Sequence, residues 1–338
     1  MIPAAHAAPV ERALRAAFGV AACDSIQPLT AGLSPALVYR IEVQGRPYLL
    51  RINLNPISDP ARWFACMGAA AAAGLCPAVR YTSVDDKISI TDFVERRLLP
   101  RAVALRLMPP MLRAVHALPP FPPMARFPDY LDAGDAFIGR WQAAGTLPEP
   151  ITAEIFPAYA HLRRAYTRET DDLVASHNDL NPGNILFDGD RLWLVDWEAA
   201  FLNHRYVDLA VVANFVAPSE ADEEDLLHAY FGQPATAYQR ARFYLMQQFA
   251  HLFYAALLLG GGGDVDAPTP AFRDLHDRLW SGEASLASPE AKIEYGRVHL
   301  NQLRHNVGAN RFQQALRVAA TRQGQASQSD YDRVTTSG

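Results

Sequence analysis

The stretch Ser176-His177-Asn178-Asp179-Leu180-Asn181-Pro182-Gly183-Asn184-Ile185-Leu186-Phe187, followed by Val195-Asp196-Trp197-Glu198, decides the fold. Residues 184–187 and 191–195 read as two short strands around the turn Asp188-Gly189-Asp190. One histidine, two aspartates and an asparagine therefore crowd a single hairpin. His177, Asp179 and Asn184 fall at the spacing H-x-D-x-x-x-x-N, and Asp196 follows an apolar strand.

Such a set suits phosphoryl transfer. A carboxylate can accept or orient a hydroxyl proton, while a neighbouring amide oxygen and a second carboxylate share magnesium carried by ATP. The competing reading is a polar hairpin whose Asn, Asp and Gly merely make turns, and residues 188–190 do only that.

Working outward, residues 37–42 and 47–52 read as a β-hairpin turning at Gln44-Gly45-Arg46, preceded by a helix at about 9–18. An alanine-rich helix over 60–73 closes at Gly74, which can take the left-handed conformation, and Pro77 prevents it resuming. Strands at 79–83 and 87–93 complete a strand-rich first third. From Arg96 the pattern becomes helical, with one helix ending at 111–117 and a rigid connection at Pro119, Pro120, Pro122 and Pro123. The acidic run from Glu220 to Asp225 opens a helix capped by Ser219. Residues 220–320 are mostly helical, and a helix over about 311–321 either finishes the lobe or serves an interface. The expected organisation is an N-terminal lobe at 1–95, a C-terminal lobe at 96–323 and a disordered tail at 324–338.

The chain has 338 residues, enough for two ordinary domains or one large two-lobed one. With 31 Lys plus Arg against 36 Asp plus Glu and a net charge of -5, it lacks the basic excess that nucleic-acid binding wants. Lys87 and Lys292 are its only lysines, so almost every cation is an arginine. Cys23, Cys66 and Cys76 lack C-x-x-C spacing and read as small buried apolar residues in a reducing compartment. No targeting segment and no apolar run of about 20 residues is visible, which predicts a soluble cytoplasmic protein. Oligomeric state is not legible.

The catalytic-loop spacing, with an aspartate standing where the D-F-G aspartate would stand, resembles that of the protein-kinase-like small-molecule kinases. That group contains the choline and ethanolamine kinases and the aminoglycoside phosphotransferases, and the resemblance runs from roughly Pro28 to Tyr254. It implies an α+β, bilobal protein-kinase-like fold: a small N-lobe antiparallel sheet with one helix, and a larger, mainly helical C-lobe.

By the same resemblance Asp179 is the catalytic base, Asn184 and Asp196 are magnesium ligands, His177 props the loop and Asp208 braces it. Residues 29–40 look like the family's phosphate-covering hairpin, with Gly32 and Ser34 against the nucleotide, although Pro35 stands where a polar residue is usual. Arg51 occupies the place of the phosphate-binding lysine, as in choline-kinase-like members. A guanidinium keeps the charge and forks onto phosphate oxygens. Asp92, Phe93 and Val94 resemble the hinge whose backbone binds adenine.

The H-N-D form at 177–179 and Glu198, in Asp196-Trp197-Glu198, favour the choline-kinase-like branch and a cationic acceptor. In the helix that would supply an aromatic cage, Tyr254 occupies one place and Leu257 the other. An aromatic stripe at helical spacing is also what a core helix shows.

The resemblance thus implies an ATP- and Mg2+-dependent transfer of the γ-phosphate to a hydroxyl of a small, amine-bearing molecule. One departure stands out. The helix at 60–73 has no acidic residue to steady the cation, and Asp59 is its nearest substitute. Two alternatives follow: a nucleotide-binding regulator of the same fold that has lost efficient transfer, and a metal-dependent phosphoester hydrolase built on the same cluster.

Overall fold

A computed structural model describes residues 2–29, 36–56, 58–124, 130–145, 147–260 and 265–321. The expected phosphate-covering residues Gly32 and Ser34, and the tail at 324–338, lie outside them. The chain forms two compact units, Met1–Pro123 with Val174–Leu202, and Met124–Leu173 with Asn203–Gly338. This differs from a single cut near residue 95, because the hairpin bearing the candidate residues belongs to the same unit as the N-terminal sheet.

In the first unit Ala4–Phe18 (α1) precedes the strands Ser25–Pro28 (β1), Ala36–Val43 (β2) and Arg46–Asn53 (β3). Pro60–Ala72 (α2), Val79–Ser83 (β4), Ile88–Asp92 (β5) and Arg101–His116 (α3) follow. The five strands form an antiparallel sheet in the order β1-β2-β3-β5-β4. Gln44 and Gly45 both have positive φ, 53° and 71°, as a two-residue turn between right-twisted strands requires.

Strand period sorts the side chains of β3. Tyr48, Leu50 and Ile52 join Tyr39, Ile41, Val43, Ile88 and Ile90 in a core closed by Val10, Ala13 and Leu14 of α1. Burial of each such aliphatic side chain contributes about 1.5–3 kcal/mol. Leu49, Arg51 and Asn53 consequently share the opposite face.

Several bounds depart from the expected ones. The first helix begins at Ala4, more than a turn before the expected start at about residue 9, and carries Pro9 within it. β1 was not foreseen in its short, polar sequence. Lys87 takes a positive φ of 54° in the turn, so β5 starts after it. Cys66 and Cys76 are buried as expected, whereas Cys23 is half-exposed.

The chain then supplies Leu173–Ser176 (β6), the hairpin Ile185–Phe187 (β7) and Leu192–Leu194 (β8), and Phe201–His204 (β9), with β6 paired to β9. β6 and β9 are four-residue strands whose partners lie far apart in sequence, and neither was foreseen.

The second unit is helical: Tyr130–Ala144 (α4), Glu149–Ala165 (α5), Arg205–Val216 (α6), Glu220–Phe231 (α7), Ala237–Leu259 (α8), Phe272–Ser281 (α9) and Pro289–Val307 (α10). Residues 310–321 are helical as well. Ser219 caps α7 as expected, and a reciprocal bond from its own backbone N–H to Asp222 completes a capping box. α8 is buried along most of its length, against α4, α6 and α10. No helix among the described residues is long and apolar enough to cross a membrane.

Candidate active site

β6 delivers the chain into the loop that carries His177 and Asp179. Asn178 makes the sharp turn between them at φ 65°, a left-handed conformation that asparagine tolerates better than other side-chain-bearing residues. The Asn178 amide donates to the carbonyls of Ser176 (3.2 Å) and Ala199 (2.9 Å), and its Oδ1 accepts from Ser176 Oγ (2.9 Å).

His177 is fully buried. Its Nε2 lies 3.0 Å from the Val195 carbonyl, and its ring packs on Trp197 with centroids 4.6 Å apart. The histidine therefore ties the loop to the residue just before Asp196. Trp197 is in turn met edge-on by Phe121, from the proline-rich connection.

Both oxygens of Asp179 are held by amides. Asn181 Nδ2 donates to Oδ1 (3.0 Å) and Asn184 Nδ2 donates to Oδ2 (2.9 Å). Asn181 also accepts from Gly183 N (2.8 Å), which closes the loop on itself. Burial raises the Asp179 pKa above the ordinary carboxylate range, and the negative charge of Asp196 adds to the rise.

Because the Asn184 nitrogen donates to Asp179, its oxygen is the atom left to meet a cation. The backbone bond from Val195 N to Asn184 O (3.0 Å) sets Asn184 beside the strand end that leads to Asp196. Asp196 itself sits at φ 65°, a strained position for a non-glycine residue that costs about 1–3 kcal/mol. A neutral amide oxygen and a carboxylate fit magnesium, a hard cation that is commonly held by one or two protein oxygens together with substrate phosphates. Among the described residues no group of three or more His, Cys, Asp and Glu could hold a metal ion.

Arg51, central in β3, reaches this cluster. Its Nη2 lies 2.5 Å from Glu198 Oε1 and 3.2 Å from Asp196 Oδ1. Burial by itself would lower the Arg51 pKa, but the two carboxylates outweigh it and leave the guanidinium more firmly protonated than usual. Glu198 Oε1 also accepts from Asn53 Nδ2 (2.7 Å). The carboxylate expected to attract a cationic acceptor is thus occupied by Arg51 and Asn53.

Asp59 does not steady Arg51 through its own carboxylate. It is the N-cap of α2 and accepts from Arg62 N at 3.2 Å.

At the expected hinge, the Asp92 N–H is already given to the Ala78 carbonyl (2.9 Å), and its carboxylate accepts both arms of Arg80 at 2.6 and 2.8 Å. Phe93 and Val94 follow in irregular backbone, with Arg40 5.3 Å from the Phe93 ring centroid.

Tyr254 and Asp208 belong to the second unit. Tyr254 packs against Tyr295 and His299, with centroids 5.7 and 4.9 Å away, in a cluster with Leu275 and Val298, as a core aromatic does. Asp208 is fully buried in the first turn of α6.

Sequence reading missed Arg62, Asn53 and the hydrogen-bonding role of Asn178. Asn178 alone carried a signal, its place inside the motif.

This cluster, on a sheet-and-hairpin unit of this topology, defines a phosphotransferase of the protein-kinase-like type. The family model described as the phosphotransferase enzyme family matches residues 25–244, and the chain belongs to that family. The chain is 36% identical over 75 residues to protein LicA of Haemophilus influenzae, a match covering 22% of this chain and about a quarter (26%) of LicA's length. Its fold is similar to that of a choline/ethanolamine kinase family protein from Mesorhizobium loti, with TM-score 0.66 and 19% identity over 92% of this chain and 98% of that one. It is also similar to a spectinomycin phosphotransferase in complex with ADP and spectinomycin, with TM-score 0.54 and 12% identity over 86% and 98% of the two chains.

Proposed function

We propose that this protein transfers the γ-phosphate of ATP to a hydroxyl of a small molecule of the choline, ethanolamine or aminoglycoside kind. The observation that carries the reading is the meeting of β3 and the hairpin. Arg51 lies 3.2 Å from Asp196, in the unit that also holds Asp179 and Asn184 bonded to each other at 2.9 Å. Membership of the phosphotransferase family supports the reaction class, and the ADP bound to the spectinomycin enzyme supports the nucleotide.

In this reading Asp179 receives or orients the acceptor hydroxyl, and the amides of Asn181 and Asn184 fix its carboxylate toward the incoming group. Asn184 Oδ1 and the Asp196 carboxylate are the groups that would hold magnesium, which when bound neutralises charge on the β- and γ-phosphates. Arg51, kept in place by Glu198, offers the rest of its guanidinium to phosphate oxygens as the nucleotide enters. Phe93 and Val94 offer backbone to adenine; Asp92 has its N–H committed and serves the strand edge instead. The transfer is direct and in line, with no covalent intermediate on the protein.

An amine-bearing acceptor is favoured by the named relatives rather than by Glu198, whose carboxylate is engaged by Arg51. The regulator reading loses one of its two motives, the absent helix glutamate, because Arg51 has two carboxylate partners without it; the other, the altered glycine loop, lies outside the described residues.

The test is Mg2+-dependent ADP release against a panel of choline, ethanolamine, aminoglycosides, sugars and amino acids, with Asp179→Asn as the blank. Acceptor-stimulated turnover that falls about 10²–10⁴-fold in the variant, with nucleotide binding retained, is expected. Equal turnover in Asp179→Asn would refute the assignment.

A further inference from the structure

The turn after Asp196 hangs from side chains. Arg62, from the first turn of α2 and only 7% exposed, donates through Nη2 to the Glu198 carbonyl and through Nη1 to the Ala200 carbonyl. The Ala199 carbonyl between them accepts from Asn178 Nδ2 at 2.9 Å. Cys66 Sγ, one helical turn beyond Arg62, adds a 3.7 Å contact to the Ala200 carbonyl. Three successive carbonyls of a five-residue segment that begins at strained Asp196 are therefore fixed by side chains from elsewhere.

The Glu198 carboxylate, carried on this segment, meets Arg51 and Asn53 of β3. In kinase folds a carboxylate on the helix holds the cation on the strand. Here the helix contributes a cation and the turn contributes the carboxylate, so the connection from α2 to β3 runs through the turn that starts at Asp196.

We propose that Arg62 is a positioning residue that holds the 196–200 turn so that Asp196 faces the metal and Glu198 orients Arg51, in place of the missing helix glutamate. The inference rests on the phosphotransferase reading of this site. It follows from the fork geometry: a planar guanidinium can hold two carbonyls at once, fixing the turn's rotation as well as its distance, whereas a lysine ammonium acts as a point charge on a flexible stem.

The experiment uses the full chain with Mn2+ as the metal probe, titrated by electron paramagnetic resonance in the presence of a non-hydrolysable ATP analogue. Nucleotide affinity without metal is measured by calorimetry alongside. Arg62→Met should weaken Mn2+ binding about 10- to 100-fold, the range seen when an outer partner of a metal ligand is removed. It should also raise the Mg2+ needed for half-maximal turnover in parallel, with much of kcat recovered at saturating Mg2+. Arg62→Lys should fall between wild type and Arg62→Met. Glu198→Gln should leave the turn in place and weaken the nucleotide itself.

A general loss of packing lowers the amount of folded protein without moving the Mn2+ midpoint. Should Arg62→Met not fold, Arg62→Lys and Glu198→Gln carry the same comparison. Wild-type Mn2+ affinity in the folded Arg62 variants overturns the positioning role, and wild-type nucleotide affinity in Glu198→Gln overturns the substitution for a helix glutamate. If wild type binds Mn2+ with the nucleotide yet no acceptor stimulates turnover, the transfer reading fails while the titration still decides Arg62. If wild type binds neither, both fall.

Discussion

Acid should unfold this protein through three histidines that the proposed chemistry does not use. His251 in α8, His276 in α9 and His299 in α10 are all buried in the second unit. The Nδ1 atoms of His251 and His299 are 3.0 Å apart, an arrangement that requires one to donate and the other to accept, so both cannot be charged. His276 Nδ1 donates to the Phe272 carbonyl at 2.8 Å, and its Nε2 lies 3.2 Å from the Tyr295 hydroxyl. Tyr254 and Phe272 close the cluster around His299, and Arg273 adds a positive charge near His276.

Burial pushes His251 and His276 down from 6.5 to about 3, and it holds His299 well below its ordinary value. The folded state therefore refuses protons that the unfolded chain accepts, and stability rises with pH across this window. The contribution is complete above about pH 7 and is lost as pH falls through 6.5 toward 3. Between pH 7 and pH 5 His251 and His276 should each remove about 2 kcal/mol, about 4 kcal/mol together, and His299 adds to the loss in the same direction. That is comparable with a whole domain's stability of about 5–15 kcal/mol.

Asp172, Asp179 and Glu198 have pKa values raised chiefly by burial and act with the opposite sign as pH falls, so the difference between variants is the clean quantity. In urea unfolding at a series of pH values, His276→Phe should reduce the slope of stability against pH near pH 5 by about 1.4 kcal/mol per pH unit. A variant whose curve runs parallel to wild type would refute the reasoning.

Two further substitutions test the supports of the fold. Arg242 is 1% exposed, 2.8 Å from Asp172, and stacked 4.0 Å from the Tyr166 ring; Arg242→Met should cost about 3–5 kcal/mol by leaving a buried carboxylate short of a partner. Adding Asp172→Asn should recover part of that loss, as a double-mutant cycle in urea would measure. At Asn178, Gly keeps the φ of 65° and loses only the amide's bonds, whereas Ala also strains the backbone. Asn178→Ala should therefore be less stable than Asn178→Gly by about 1 kcal/mol, and equal stabilities would contradict the backbone argument.

The sequence reading was accurate where structure is local. Residues 36–53 alternate apolar and polar side chains around Gln44-Gly45, and alternation plus a two-residue turn specifies a hairpin without outside help. Ser219 announced a helix through a hydrogen bond three residues away. The spacing of His177, Asp179 and Asn184 likewise foretold the loop, since Asn184 bonds Asp179 only five residues back. β1, β6 and β9 escaped because they are short strands ordered by their neighbours rather than by their own composition.

The sequence by itself determined the N-terminal antiparallel hairpin, the helical second half and the placing of His177, Asp179 and Asn184 on one loop, because each depends on side chains within a few positions of one another. Tertiary structure decided what those residues do for each other. That Glu198 serves Arg51, that Tyr254 is packed among aromatic rings and that Arg62 holds the turn are outcomes of contacts spanning up to 147 positions. A carboxylate has the same character in every sequence window, and only the fold decides which cation arrives beside it.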